Sequence, residues 1–183
     1  AQDIIAIPSV SRDSNVDLAN LLAETLRHLA FEVEWLEYAD DNGQRKASLV
    51  ARLGEGAGGL VLFSHADTVP GDNWGALDPF QPTIAAGRLI GLGACDMKGP
   101  LAATIAAAAR FEADQLRRPL YLAITSDEEA NYLGARQVVN ESALLHRGAP
   151  TVGVVCEPTR LHPVYAHKGG ILLTVIAHGK AAH

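Results

Sequence analysis

Several residues that bind metals well follow short runs of apolar or small residues in this sequence. They are His65, Asp96, the pair Glu128 and Glu129, and Glu157. Imidazole and carboxylate groups without a thiolate are typical of catalytic rather than structural zinc. The charges of Asp96, Glu129 and Glu157, together with one hydroxide, would balance two zinc ions. The set therefore predicts a hydrolytic site that holds two metal ions.

Taken singly, each of these residues has an ordinary explanation. A histidine after a strand is usually a hydrogen-bonded loop residue, and a pair of glutamates is usually a solvated helix start. Acids that cluster without a basic partner repel one another and resist ionisation. Only Lys98 stands near them in the sequence, whereas a bound dication would stabilise all of them. The combination therefore favours a metal site.

An alternation of strands and helices must position these residues. Strands are predicted at 31–38, 48–53, 60–63, 120–125 and 152–155, helices at 18–29, 101–111 and 133–139, and a hairpin at 83–90. This order predicts an α/β fold with a mixed, largely parallel sheet flanked by helices. The candidate ligands are spaced by about 30 residues, roughly one strand–helix–strand unit. We therefore expect them to meet beyond the carboxyl ends of the strands.

The pattern changes from Val164 onward. A strand predicted at 171–177 has no helix before it. We therefore expect a catalytic domain over 1–165, whose C-terminal part is missing, and the first strands of a truncated second domain over 166–183.

Composition narrows the function classes. The formal net charge of −6 argues against a nucleic-acid partner, because phosphate binding needs a basic surface. No apolar run approaches membrane-spanning length. Cys95 and Cys156 form neither a CxxC pair nor a disulfide framework, which favours a reducing, cytoplasmic location. Each cysteine directly precedes a candidate ligand, and strand alternation predicts that both are small core residues.

Five motifs in a fixed order carry a family resemblance. They are HADTVP at 65–70, Trp74 with DPF at 78–80, GLGACDMKG at 91–99, SDEE at 126–129 and CEPT at 156–159. With them the chain resembles the dizinc metallopeptidase and deacylase family. That family includes acetylornithine deacetylase, succinyl-diaminopimelate desuccinylase, glutamate carboxypeptidase and the aminoacylases.

The resemblance implies a ligand set for two zinc ions, for which Co²⁺ can substitute. Asp96 resembles the carboxylate that bridges both ions. His65 and Glu157 resemble the other protein ligands of one zinc, and Glu129 resembles a ligand of the second. The family has one more ligand histidine, which is expected beyond residue 183.

The resemblance also implies catalytic roles. Glu128 resembles the general base, and Asp67 resembles the acid that orients the ring of His65. Residues 166–183 resemble the start of an α+β lid and dimerisation domain. In that domain His183 would donate a hydrogen bond to the developing oxyanion in the partner subunit of a homodimer. A cis peptide bond between Asp96 and Met97 is expected as well.

The stretch HPVYAHKG at 162–169 resembles acetylornithine deacetylases most. It implies hydrolysis of a small N-acyl amino acid, N-acetyl-L-ornithine, to L-ornithine and acetate. A succinyl-diaminopimelate desuccinylase and a glutamate-type carboxypeptidase are the alternatives on the same site. A metal-free relative that acts as a binding module is disfavoured, because every site position within the chain holds a competent residue.

Overall fold

The computed structural model describes residues 1–169, 173, 175, 176 and 178–180. Within these residues the strands are β1 (Glu32–Ala39), β2 (Arg45–Leu53), β3 (Leu60–His65), β4 (Thr83–Ala85), β5 (Arg88–Ile90), β6 (Leu120–Thr125) and β7 (Val152–Val155). The α-helices are α1 (Gln2–Ala6), α2 (Val16–His28), α3 (Lys98–Ala108), α4 (Leu133–Glu141) and α5 (Ala143–Gly148). A short 3-10 helix lies at Ala113–Gln115.

A five-stranded sheet has the order β1-β2-β6-β3-β7. Strand β2 runs antiparallel to both of its neighbours, β1 and β6. Strands β6, β3 and β7 are parallel to one another. Four strands therefore share one direction and β2 opposes them. This arrangement confirms the predicted α/β fold with a mixed, largely parallel sheet.

Helices cover both faces of the sheet, because the strands are apolar on both sides. In β2, Leu49 and Leu53 join one core with α1, α2 and α3, whereas Val50 joins a second core with α4 and α5. Helix α2 contributes Leu18 and Leu22, which are one turn apart and fully buried. Full burial of each such leucine stabilises the fold by roughly 1.5–3 kcal/mol.

Helix α5 was not expected from the sequence, and its N-terminus shows why. The Ser142 hydroxyl accepts a hydrogen bond from the Leu145 backbone N–H at 3.2 Å. The carboxylate of Glu34 in β1 accepts from the Ser142 hydroxyl at 2.6 Å and from the Ala143 N–H at 2.8 Å. The cap is thus completed by a residue more than a hundred positions away. Local sequence cannot reveal such a partner.

The predicted hairpin is confirmed as β4 and β5. Its two turn residues, Ala86 and Gly87, have φ values of 48° and 71°. Positive φ at both positions matches the turn type that suits the right-handed twist of the paired strands. The predicted helix at 101–111 begins earlier, at Lys98, because a proline at position 100 is tolerated in a first helical turn.

The second domain stays a prediction. The strand expected at 171–177 falls mostly on residues outside the described part, and His183 lies outside it as well. None of the helices that the structure describes combines the length and apolar character needed to cross a bilayer.

Candidate metal centre

Three of the candidate segments follow neighbouring parallel strands. Strand β3 ends at His65 and lies between β6 and β7. The loop after β6 carries Glu128 and Glu129, and the loop after β7 carries Glu157. Because parallel strands end at the same edge of a sheet, the histidine lies between these acids.

The expectation that Asp96 also follows a sheet strand is wrong. Residues 91–97 form turns between β5, which belongs to the separate hairpin, and α3. Gly93 in this turn has a φ of 79°, a conformation that favours glycine. Met97 is fully buried, with its sulfur 3.2 Å from the backbone nitrogen of His65. The Asp96–Met97 peptide bond is cis, as the resemblance implied.

One group of donor atoms matches the first predicted zinc site. The Nε2 atom of His65 lies 3.2 Å from Oδ1 of Asp96 and 3.8 Å from Oε1 of Glu157. One donor atom from each of these residues lies within 4.8 Å of the others. The His65 side chain is only 2% exposed, whereas Asp96 is 53% exposed. The site is therefore buried at His65 and open to solvent at Asp96.

A second group shares the same histidine. Donor atoms of His65, Glu128 and Glu129 also lie within 4.8 Å of one another. Oε2 of Glu128 is 3.8 Å from the histidine Nε2. Both acids of the pair thus offer an oxygen to the site. The roles of Glu128 as general base and Glu129 as zinc ligand stay predictions.

Asp67 is buried beneath this cluster and does more than the sequence predicted. The Nδ1 atom of His65 lies 3.0 Å from the Asp67 carbonyl oxygen and 3.6 Å from its Oδ1. The Asp67 carboxylate also accepts hydrogen bonds from the backbone N–H groups of Glu128 and Glu129, both at 3.1 Å. The Ser11 hydroxyl donates to the same carboxylate at 2.5 Å. Asp67 therefore contacts both the His65 ring and the backbone of the acid pair, and its role in orienting the ring stays a prediction.

Burial and neighbouring charges both shift the pKa values of the cluster. Burial disfavours the charged form of His65, but the carboxylate of Asp67 and the charges of Glu128 and Glu157 outweigh it and raise its pKa to about 9. Burial raises the pKa of Glu128, and burial together with nearby carboxylates raises that of Glu129 and Glu157. The acids thus compete for one neutralising group.

The donor set fits divalent metal ions. Within the described residues, no lysine or arginine nitrogen forms an ion pair with Asp96, Glu128, Glu129 or Glu157. A protonated His65 is their nearest cation. Two groups that share the His65 imidazole, each with two carboxylates, suit zinc in a catalytic setting.

Neither cysteine belongs to the core, so that prediction is wrong. Cys95 is exposed and Cys156 is half-buried. Cys95 lies in a turn, where strand alternation does not apply. Cys156 follows β7, which lies at the edge of the sheet formed by the described residues and whose residues are all exposed. Neither thiol joins the metal groups formed by the described residues.

Sequence reasoning also missed Lys46. This lysine lies in β2, its side chain is 1% exposed, and its Nζ atom is 2.9 Å from Oδ1 of Asp127 in the SDEE motif. The sequence offered little signal, because Lys46 directly follows Arg45 and has no acid next to it.

Comparisons with known proteins identify the family of the chain. A profile described as Peptidase family M20/M25/M40 matches residues 61–174, which is more than half of the chain. The chain therefore belongs to this family, whose members are metal-dependent hydrolases.

Solved structures show the same fold. Human carnosine dipeptidase 1 is 25% identical with a TM-score of 0.71, and the match covers 84% of this chain and 36% of that one. The dipeptidase Dug1p from Saccharomyces cerevisiae is 19% identical with a TM-score of 0.70, covering 84% and 36%. The M20 family metallo-carboxypeptidase Sso-CP2 from Sulfolobus solfataricus is 22% identical with a TM-score of 0.71, covering 84% and 35%. The chain thus spans about a third of the length of these proteins.

Proposed function

We propose that this chain is the catalytic part of a zinc-dependent amidohydrolase that removes the acyl group from a small N-acyl amino acid. N-acetyl-L-ornithine, giving L-ornithine and acetate, is the proposed substrate. The observation that carries the proposal is the cluster of His65 with four carboxylates on one open edge of the sheet. The sequence at 156–169 supports the choice of substrate.

The proposed ligand set combines the first donor group with what the family resemblance implies. His65, Asp96 and Glu157, which lie together in that group, would hold one ion. Glu129 would hold the second, with Asp96 as the shared ligand, as the resemblance implies. Cobalt would be accepted in place of zinc, because the donors are imidazole and carboxylate. When bound, the metal would supply Lewis-acid activation of the amide.

Glu128 is proposed to move the proton. Its carboxylate lines a cavity of about 320 Å³ together with His65 and Glu157. It would accept a proton from the attacking water and return it to the leaving amine. Its backbone is held by Asp67, so the carboxylate stays aimed at the centre. Asp67 would keep the His65 ring in its ligating orientation.

The rest of the proposal concerns the whole protein. We infer a cytoplasmic homodimer that acts on a small molecule and uses neither nucleic acid nor membrane. His183 would reach the partner subunit and donate a hydrogen bond to the oxyanion. Mixing His183→Ala with Glu128→Gln subunits should then restore part of the activity. No recovery after confirmed subunit exchange would contradict this role.

A peptidase is the second candidate function. The similar structures include two named as dipeptidases and one named as a carboxypeptidase. All of these activities cleave a linear amide, and the residues described above would serve each of them equally. The difference would lie in contacts to the side chain and the terminal groups of the substrate.

Metal analysis and parallel assays of the full-length protein test the proposal. We expect about two zinc ions per chain, as in two-metal hydrolases, and the highest kcat/KM on N-acetyl-L-ornithine. The panel should include N-succinyl-diaminopimelate, a dipeptide and a glutamate-terminated peptide. A higher kcat/KM on one of these would replace the substrate. A protein that retains no metal would instead support the binding-module alternative.

A further inference from the structure

Lys46 is fully buried although it lies outside the metal centre. Its Nζ atom donates hydrogen bonds to the carbonyl oxygens of Ser11 at 2.5 Å and Asp13 at 2.8 Å. It also forms an ion pair with Oδ1 of Asp127 at 2.9 Å. A buried lysine needs such partners, because an unpaired ammonium group is costly in the interior. Oδ2 of Asp40 lies 3.8 Å from the same Nζ atom. These four contacts fix the position of the ammonium group.

Asp127 is held from a second side. Its Oδ2 atom accepts a hydrogen bond from the Tyr38 hydroxyl at 2.8 Å. Burial raises the pKa of Tyr38, so this hydroxyl remains a donor. The backbone carbonyl of Asp127 accepts from the Tyr132 N–H at 2.8 Å. Both the side chain and the backbone of Asp127 are therefore immobilised.

The backbone of Asp127 controls the direction of the next two residues. Its φ of 59° lies in the left-handed region, which aspartate tolerates better than most residues. Beyond this turn, the N–H groups of Glu128 and Glu129 both point at the Asp67 carboxylate. Any movement of Asp127 would shift the backbone of Glu128 and Glu129, and both side chains with it.

Lys46 also holds Ser11, which is a second hydrogen-bond partner of Asp67. The Ser11 residue whose carbonyl binds Lys46 donates its hydroxyl to Asp67. One ammonium group thus connects the segment at 11–13 with the loop that carries the acid pair. Both connections converge on Asp67, which contacts His65.

We propose that Lys46 is a positioning residue, which sets the orientation of Glu128 and Glu129 through Asp127. The inference rests on the proposed function of the site, because it concerns the same acid pair. Lys46 touches neither substrate nor metal in this proposal. Its effect reaches the chemistry only through the direction of the loop after β6.

The test uses the full-length protein and measures zinc affinity of the metal-free form by competition with a chromophoric chelator. Lys46→Met keeps the length of the side chain and removes the charge. We expect zinc binding to weaken by about 10–100-fold, the range typical of residues that orient metal ligands. We also expect kcat to fall with little change in KM, because the proton-transferring group is misplaced.

Arg45→Met is the matched control. Arg45 precedes Lys46 on β2, so its side chain points to the other face of the strand. It is exposed and pairs with Glu37 at 2.7 Å. This variant should keep the zinc affinity and kcat of the wild type.

Two further variants keep the proposal testable if Lys46→Met does not fold. Lys46→Met/Asp127→Asn removes both members of the closest ion pair, so the Asp127 carboxylate is not left unpaired. The Asp40 carboxylate loses Lys46 but keeps its hydrogen bonds from the Asn42 and Gln44 N–H groups. Tyr38→Phe removes only the hydroxyl, which hydrogen-bonds with Asp127 and Ser126, and should weaken zinc binding by about 3–10-fold. Folded variants with the zinc affinity and kcat of Arg45→Met would overturn the positioning role. If the wild-type protein bound no zinc, the proposed function would be overturned, and this inference with it.

Discussion

The Asp67 carboxylate contacts Ser11, His65 and the backbone of the acid pair, and a substitution that replaces one oxygen by an NH₂ group probes these contacts. Asp67→Asn keeps the shape of the side chain. In the wild type, Oδ1 accepts from the Glu128 N–H, and Oδ2 accepts from the Ser11 hydroxyl and the Glu129 N–H. The NH₂ group of the asparagine must take the place of one of these two oxygens. At least one buried donor is then left without an acceptor.

The size of the effect follows from two contributions. Hydrogen bonds to a charged acceptor contribute about 1.5–3 kcal/mol, whereas neutral ones contribute about 1 kcal/mol. A buried donor left unpaired costs a further ~1–3 kcal/mol. We therefore expect the free energy of unfolding of the metal-free protein to fall by roughly 2–5 kcal/mol at neutral pH.

The difference should depend on pH in a definite direction. Burial opposes ionisation of Asp67, but hydrogen bonds from His65 and Ser11 prevail and hold its pKa below the ordinary value of 3.8. A group with a lowered pKa in the folded state stabilises the protein above its unfolded pKa. That contribution is lost as the pH falls through the folded pKa. The stability difference should therefore be full between about pH 5 and 6.5 and shrink in more acid solution. It should also shrink as the pH rises from about 6.5 through 9, because the pKa of His65, which Asp67 helps to raise to about 9 against the effect of burial, adds a contribution that is lost when the ring deprotonates.

Urea unfolding of the full-length, metal-free protein, followed by circular dichroism, measures the difference. Asp78→Asn is the control, because its exposed Oδ1 accepts one hydrogen bond from the Phe80 N–H at 2.9 Å and an amide oxygen can replace it. The control should change stability by less than about 0.5 kcal/mol. If Asp67→Asn lowers the free energy of unfolding by less than about 1 kcal/mol, with an unchanged dependence on urea concentration, the inferred stabilisation by the hydrogen bonds to Asp67 is refuted.

Three further outcomes test the metal centre. Asp96→Ala should abolish zinc retention at both positions, and near-wild-type zinc by metal analysis would reject the shared-ligand role. Glu128→Gln should retain zinc while kcat falls by at least ~10²–10⁴, whereas lost zinc with retained turnover would show that Glu128 and Glu129 exchange roles. Because the pKa of His65 is raised to about 9 in the metal-free protein, zinc must displace its proton. Zinc affinity should therefore rise with pH between 6 and 8, and a pH-independent affinity with no proton release in calorimetry would contradict this.

Strong local patterns explain which parts of the fold could be predicted. Strands β6 and β7 match the predicted ranges at both ends, because each is a short apolar run bounded by polar residues or glycine and proline. Helix α1 has only five residues, too few for a periodic pattern. Helix α5 depends on a cap from Glu34 in β1. Elements whose stability comes from distant partners carry no signal in their own sequence.

The candidate site shows the same division. The types and order of His65, Asp96 and Glu157 were enough to predict that they converge, and the structure places them together. The route of Asp96 was not predictable, because a turn before α3 and not a sheet strand delivers it. Lys46 was missed because Asp127, the acid closest to its ammonium group, lies far from it in the sequence. Burial and pairing of a charge are properties of the assembled fold.

The strand order has a consequence for how this protein is made. The central part of the sheet places β3 between β6 and β7, which are both synthesised later. The β1–β2 pair is adjacent in sequence and can form early, but β3 has no neighbour until more than fifty further residues have been added. During that interval its apolar side chains and unpaired backbone are exposed to other chains. We therefore expect slow folding, dominated by distant contacts, and a need for chaperone protection during translation.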